Sequence, residues 1–128
     1  MTSSTAPQVV RQRVDQLLSA YARGRRDFQQ WDLTGANVSG CDLRDANLSG
    51  AILRRANLQG AHLDGARLIS ANLIQTRFDD ATLHVADLSA ATLIGASLRR
   101  ANLTRASLST TDLTIVDCTG ANLAWADL

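Results

Sequence analysis

From Arg26 to Leu128 the chain divides into consecutive units of five residues without one insertion: RDFQQ, WDLTG, ANVSG, CDLRD, ANLSG, AILRR, ANLQG and onward to ANLAW and ADL. A repeat this regular governs every other reading of the sequence. Each unit is centred on a large apolar residue, from Phe28, Leu33, Val38 and Leu43 to Leu128. After Arg26, two residues before each centre stands a small one, Ala except at Trp31, Cys41, Thr76, Thr111 and Val116.

A period of five matches neither the 3.6 of an α-helix nor the 2 of an unbroken strand, so the chain must turn inside every unit. The pattern small-in, polar-out, large-in, then two polar or Gly residues reads as a three-residue strand followed by a corner. Gly35, Gly40, Gly50, Gly60, Gly65, Gly95 and Gly120 all occupy the second corner position. A type II turn needs φ > 0 there, which Gly adopts cheaply. Corners with Arg55, Asp80 or Arg100 in that place are expected to use another turn type.

Stacked coils let each short strand bond to its neighbours above and below. A step of 20 residues places Asp79 under Arg99 and Asp80 under Arg100, and stacks Ile74 with Ile94; steps of 15 or 25 lose both charge matches. Opposite charges and like apolar groups favour pairing between adjacent rungs. Four sides per coil, about five coils and a rod roughly 24 Å long at ~4.8 Å per rung follow. The motif Ala-(Asn/Asp)-Leu-x-x, as in Ala46-Asn47-Leu48 and Ala101-Asn102-Leu103, resembles the pentapeptide-repeat family. The resemblance implies an all-β solenoid, a right-handed four-sided parallel β-helix with centres and small residues inward. It implies little about activity.

Residues 1–25 read as a leader with a capping helix, and 26–128 as the repeat, within one structural domain. Pro7 suits a first helical turn, and Val10, Val14, Leu17, Leu18 and Tyr21 share one face over residues 7–22. Gly24 supplies a stop. The apolar stripe is expected to cover the first coil, where Phe28 and Trp31 sit, because solenoids need closed ends.

All 13 basic residues are Arg and all 12 acidic residues are Asp. Residues 1–26 hold five Arg and one Asp, a balance of +4; residues 27–128 hold eight Arg and eleven Asp, a balance of −3. Cys41 and Cys118 make no disulfide framework and no zinc-ligand spacing, so both are expected as inward-facing, slowly reacting thiols in a reducing compartment. No apolar core of a secretory signal and no apolar run of membrane-spanning length occurs, and the expected location is cytoplasmic, with no membrane partner.

A rod filled by Leu and Ala leaves no interior pocket for a small molecule, and the expectation is no enzyme, cofactor or metal. His84 beside Asp64 is the only candidate acid–base pair, and it reads as a surface charge ladder with Arg44. Asp79-Asp80 could hold a cation but for the Arg99-Arg100 rung that neutralises it. The outward Asn37, Asn47, Asn57, Asp87, Asn102 and Asn122 read as local bonds to corner backbone. Arg54-Arg55 reads as solvated rather than as a phosphate site.

Ile74 and Ile94 stack at one corner, with Ile69 on the preceding corner and Ile52 and Ile115 on the same side, a candidate partner surface. The expected function is a noncatalytic structural or protein-interaction module that presents flat faces to a protein. The alternative, implied by the resemblance, is a DNA-mimicking inhibitor or protector of DNA gyrase. Mimicry asks for a strongly negative surface, which this repeat lacks. Direct nucleic-acid binding through Arg23, Arg25 and Arg26 is disfavoured by the lack of interleaved aromatics apart from Tyr21. Leu123, Trp125 and Leu128 mark an open last coil. Either it is cut from a longer array or it meets a second copy as a twofold homodimer.

Overall fold

A computed structural model describes residues 6–128, so the first five residues of the leader lie outside the described residues. Helix α1 spans Ala6–Ala22. It ends in a Schellman motif around Gly24, whose φ is 101°. The Gly24 N–H donates to the Tyr21 carbonyl at 2.9 Å and the Arg25 N–H to the Ala20 carbonyl at 3.0 Å, satisfying carbonyls the helix end would otherwise leave free.

Beyond α1 the chain coils. Every parallel bridge joins residues twenty apart, from Asp27 with Asn47 to Ser107 with Asp127. With a turn in every unit of five, four turns complete one coil. Each side contributes a single bridged residue, not the three-residue strand expected from the pattern, and no described residue lies in an extended strand.

Where the outward residue is Asn or Asp, as in residues 56–60, every backbone N–H of the unit of five has a partner. The outward residue donates to the coil before it, as Asn57 does to the Ala36 carbonyl at 2.8 Å. The centre and the second corner residue donate to the coil after it, as Leu33 does to the Ile52 carbonyl at 2.7 Å and Gly35 to the Arg54 carbonyl at 2.8 Å. The small residue closes the turn, Ala36 donating to the Leu33 carbonyl at 3.0 Å. The first corner N–H falls to the outward side chain two residues earlier, as Ser39 donates to Asn37 Oδ1 at 3.2 Å. The repeated Asn and Asp are therefore structural acceptors, as expected, because a buried or crowded N–H without a partner is costly.

That bonding also overrides the expected second turn type. Arg55, Asp80 and Arg100 have φ of 57°, 60° and 56°, within the same left-handed region as Gly35 at 70°. A non-glycine residue held there costs roughly 1–2 kcal/mol. The N–H of the second corner residue must still reach the next coil, so the ladder imposes one geometry on every corner whatever its residue.

The core is a column of Leu and Ala, with Phe28 and Phe78 among the fully buried side chains. Leu17 and Val14 of α1 join that column over the first coil, with Val10, Leu18, Ala20 and Tyr21 half-buried around them. The Tyr21 hydroxyl donates to the Arg44 carbonyl at 2.9 Å, Arg13 pairs with Asp32 at 3.4 Å, and Trp31 packs edge-on against Phe28. α1 thus packs against the first coil.

Candidate interaction surfaces

Inward positions from Leu33 to Leu108, Cys41 apart, are closed by their own side chains, so candidate sites lie on corners, sides and ends. Two grooves flank α1. One, of about 410 Å³, is lined by Ala6, Pro7, Val10, Arg11, Val14, Gly35 and Asn37. The other, of about 570 Å³, involves Arg23, Arg25 and Trp31. Neither converges on a nucleophile with a base, and no cluster of metal-ligating side chains occurs among the described residues.

His84 and Asp64 are one coil apart but form neither an acid–base pair nor the expected ladder with Arg44. Asp64 Oδ1 accepts the backbone N–H of His84 at 3.0 Å, the His84 ring meets Thr104 Oγ1 at 2.6 Å, and Arg44 turns to Asp42 at 2.8 Å. Asp79 acts likewise: its carboxylate accepts the Arg99 N–H at 3.1 Å and the Ser97 hydroxyl, while the Arg99 guanidinium pairs with Asp117 at 2.6 Å. Thr82 and Ser97, the outward residues of those two units, make no such bond to the corner N–H. An aspartate one coil away supplies the acceptor instead. Asp80 and Arg100 do pair side chain to side chain.

Electrostatics follow the corner bonds. The Thr119 hydroxyl and N–H, then Arg99, hold the Asp117 carboxyl down to about 2. The Arg44 guanidinium and N–H hold Asp42 well below the usual carboxylate range. The leader's cations are largely engaged: Arg25 stacks over Phe28 and Trp31, and Arg26 donates to the Tyr21 carbonyl and lies 3.7 Å from the Tyr21 ring centre. Arg55 donates to Gln75 at 2.9 Å.

Ile52, Ile74, Ile94 and Ile115 belong to one side of the coil, and Ile69 to the corner before it. Ile52 stands in the outward line Asp32, Ile52, Asn72, Thr92, Asp112. Ile69 precedes that line, and Ile74, Ile94 and Ile115 follow it. Exposure is uneven: Ile74 and Ile94 are half-buried, Ile52 and Ile69 are exposed, and Ile115 is 80% exposed. Ile115 lies over Gly95, its Cδ1 3.8 Å from where a Cβ would stand.

In the last coil Leu113 and Leu128 are exposed and Val116, Cys118, Leu123 and Ala126 half-buried, whereas the equivalent positions one coil earlier are closed. Trp125 is 82% exposed, with Arg105 6.0 Å from its ring centre. Cys41 and Cys118 are free thiols but half-buried, not fully enclosed as expected, and burial pushes both thiols up. Cys41 lies in the first coil and Cys118 in the last. Sequence reasoning missed Val85, which is 53% exposed; a β-branched residue in a corner position otherwise suited to Gly was the available signal.

A parallel solenoid with twenty-residue coils, Leu and Ala inside and Asx-capped corners defines a class of repeat protein. Residues 32–68, 47–84 and 86–117 match the family description for pentapeptide repeats, with eight copies, and the chain belongs to that family. The family is generally noncatalytic. Among solved structures, a trypsin-treated form of QnrB1, a plasmid-mediated fluoroquinolone resistance protein, is 18% identical with a TM-score of 0.58, over 78% of this chain and 54% of that one. This likeness supports the right-handed β-helical fold. HetL, involved in heterocyst differentiation regulation in the cyanobacterium Nostoc sp., is 30% identical over 98% of this chain and 50% of its own, with a TM-score of 0.48. A pentapeptide repeat protein from the Arabidopsis thaliana thylakoid lumen is 29% identical over 83% of this chain and 68% of its own, with a TM-score of 0.47. The chain spans about half the length of HetL and QnrB1. No curated protein matches it.

Proposed function

We propose that this chain is a noncatalytic protein-interaction module that docks a partner through the side bearing Ile52 and Ile115 and the corner at Ile69, flanked by Ile74 and Ile94. The observation that carries the reading is the exposure of Ile52 and Ile115 on one side, and of Ile69 on the corner before it, of a rod whose interior is already filled. Apolar side chains grouped in this way are stabilised when a partner removes them from water. The free thiols of Cys41 and Cys118 suit a reducing, cytoplasmic setting. The exposed last coil around Leu123, Trp125 and Leu128 is the place for a second copy, and a further coil of the same repeat would cover it equally well.

DNA mimicry directed at gyrase has less support. The corners alternate Asp80 with Arg100 and Asp117 with Arg99, so the surface lacks the continuous negative charge of a duplex. Affinity capture from the native host with the unaltered chain and with Ile52→Asp/Ile115→Asp tests the docking reading. Loss of a retained protein in the variant is expected; an unchanged set of retained proteins overturns it.

A further inference from the structure

Not every large side chain at a left-handed corner obtains an internal contact in return. Arg55 bonds to Gln75 and Arg100 to Asp80. Val85 and Trp125, with φ of 61° and 62°, point mostly into solvent instead. Branched or bulky side chains are disfavoured in this region, and Gly serves the same position elsewhere in the chain without that penalty. Val85 and Trp125 occupy the same corner two coils apart. Arg105 stands between them, on the intervening coil, at φ 60°.

Arg105 differs from Arg44, Arg99 and Arg100, each of which has an Asp partner. Among the described residues no carboxylate lies within ion-pair distance of Arg105, and its recorded contact is the Trp125 ring. The corner thus presents an apolar residue, a cation without a counter-charge and an indole on three successive rungs. Exposed Trp and Arg are the side chains that most often dominate binding energy at protein interfaces.

We infer that Val85, Arg105 and Trp125 form a docking ridge for an amphipathic helix of a partner protein, one that carries apolar, acidic and apolar residues on successive turns. This rests on the reading of the chain as a protein-binding module and adds a second surface, distinct from the isoleucine side; it shares Trp125 with the exposed last coil, so the helix and a second copy compete for that indole. Rung spacing selects the helix. Three rungs span about 9.6 Å at ~4.8 Å each. Helix positions i, i+3 or i+4, and i+7 lie about 5 and 10.5 Å apart along the axis, close to that spacing. Same-face residues of an extended strand fall at roughly 6.7 and 13 Å, out of step with the ridge. Arg105 selects the charge, because a carboxylate on the middle turn meets a guanidinium that has no carboxylate partner within the chain.

The test uses Trp31→Phe, which leaves Trp125 as the sole indole. Two stapled helical peptides, each with Leu at i and i+7 and with either Glu or Lys at i+4, are titrated while fluorescence is followed. A saturable blue shift is expected with the Glu peptide, which binds about tenfold more tightly than the Lys peptide, an order that Arg105→Glu reverses. Calorimetry with the unaltered chain and with Trp125→Ala gives the same comparison without touching Trp31; heat of binding is expected from the first and not from the second. Ile52→Asp/Ile115→Asp is expected to bind the Glu peptide unchanged, so the ridge and the isoleucine side fail separately. Absence of saturable binding, or equal binding of the two peptides, overturns the inference.

Discussion

Asp80 and Arg100 occupy the same corner on adjacent coils and are joined by two hydrogen bonds, Nε to Oδ1 at 2.8 Å and Nη2 to Oδ2 at 3.0 Å. Their separation of twenty residues is the coil length itself. Both groups are exposed, and exposed pairs stabilise little because water screens them and two side chains must be ordered. Arg100→Ala is expected to lower the thermal midpoint by less than about 2 °C, read by scanning calorimetry. Asp80→Arg, which sets a cation against Arg100 across one rung, lowers it further, and adding Arg100→Asp restores it. Failure of that restoration would count against the pairing as a register element.

Leu17 is fully buried between α1 and the first coil, whereas Leu18 on the same helix is half-buried. Leu17→Asp removes apolar contact and places a carboxylate against Phe28 and its neighbours. A loss of about 3–5 kcal/mol in urea unfolding is expected, and a smaller one for Leu18→Asp. Equal losses would mean that the helix docks by a different face. Removal of residues 1–22 exposes the first coil and is expected to produce aggregation, followed by light scattering.

The period of five, the Leu and Ala column and the helix cap were all legible in the sequence because each depends on side-chain size at a fixed spacing. The coil length was legible through Asp80 and Arg100. Asp79 and Arg99 are neighbours on adjacent rungs, as the pattern indicated, but the pattern cannot show that the Arg99 N–H, without an Asx acceptor at Ser97, takes the Asp79 carboxylate while the guanidinium turns to Asp117. The turn at Arg55 was misread because local preference suggested a second conformation, while the interchain-like ladder between coils imposed the first. Uneven exposure of Ile74, Ile94 and Ile115 was beyond reach, since it depends on how neighbours one coil away lean across them.

Ala90 and Gly65 test the shared corner geometry in opposite directions. Ala90 has φ of 60°, and Ala90→Gly relieves that strain, so a gain of about 0.5–1 kcal/mol is expected after the greater freedom of the unfolded glycine chain is offset. Gly65 has φ of 72°, and a Cβ there would displace the exposed carboxylate of Asp45. Gly65→Ala is expected to destabilise by about 1 kcal/mol or more, and Asp45→Ala should recover part of that loss. Chemical unfolding of the three variants decides it; a neutral Gly65→Ala would remove the argument from the corner.

Acid stability follows from the corner carboxylates. Asp117 is held down to about 2 by the Thr119 hydroxyl and N–H with Arg99, and Asp32, Asp42 and Asp112 are lowered by bonds from Thr34, Arg44 and Thr114. An aspartate whose folded value lies below its unfolded value of about 3.9 stabilises the fold fully at higher pH. That contribution fades as pH falls through the interval between the two values. Denaturant midpoints are therefore expected to stay level from about pH 7 to pH 5 and to fall below about pH 4, with loss continuing toward pH 2. Asp117→Asn removes one ionisable acceptor while keeping a carbonyl oxygen for the Thr119 N–H, so its acid limb should be shallower than that of the unaltered chain. Superimposable limbs for the two proteins would show that Asp117 titrates at the same pH folded and unfolded, contrary to the bonds at its corner.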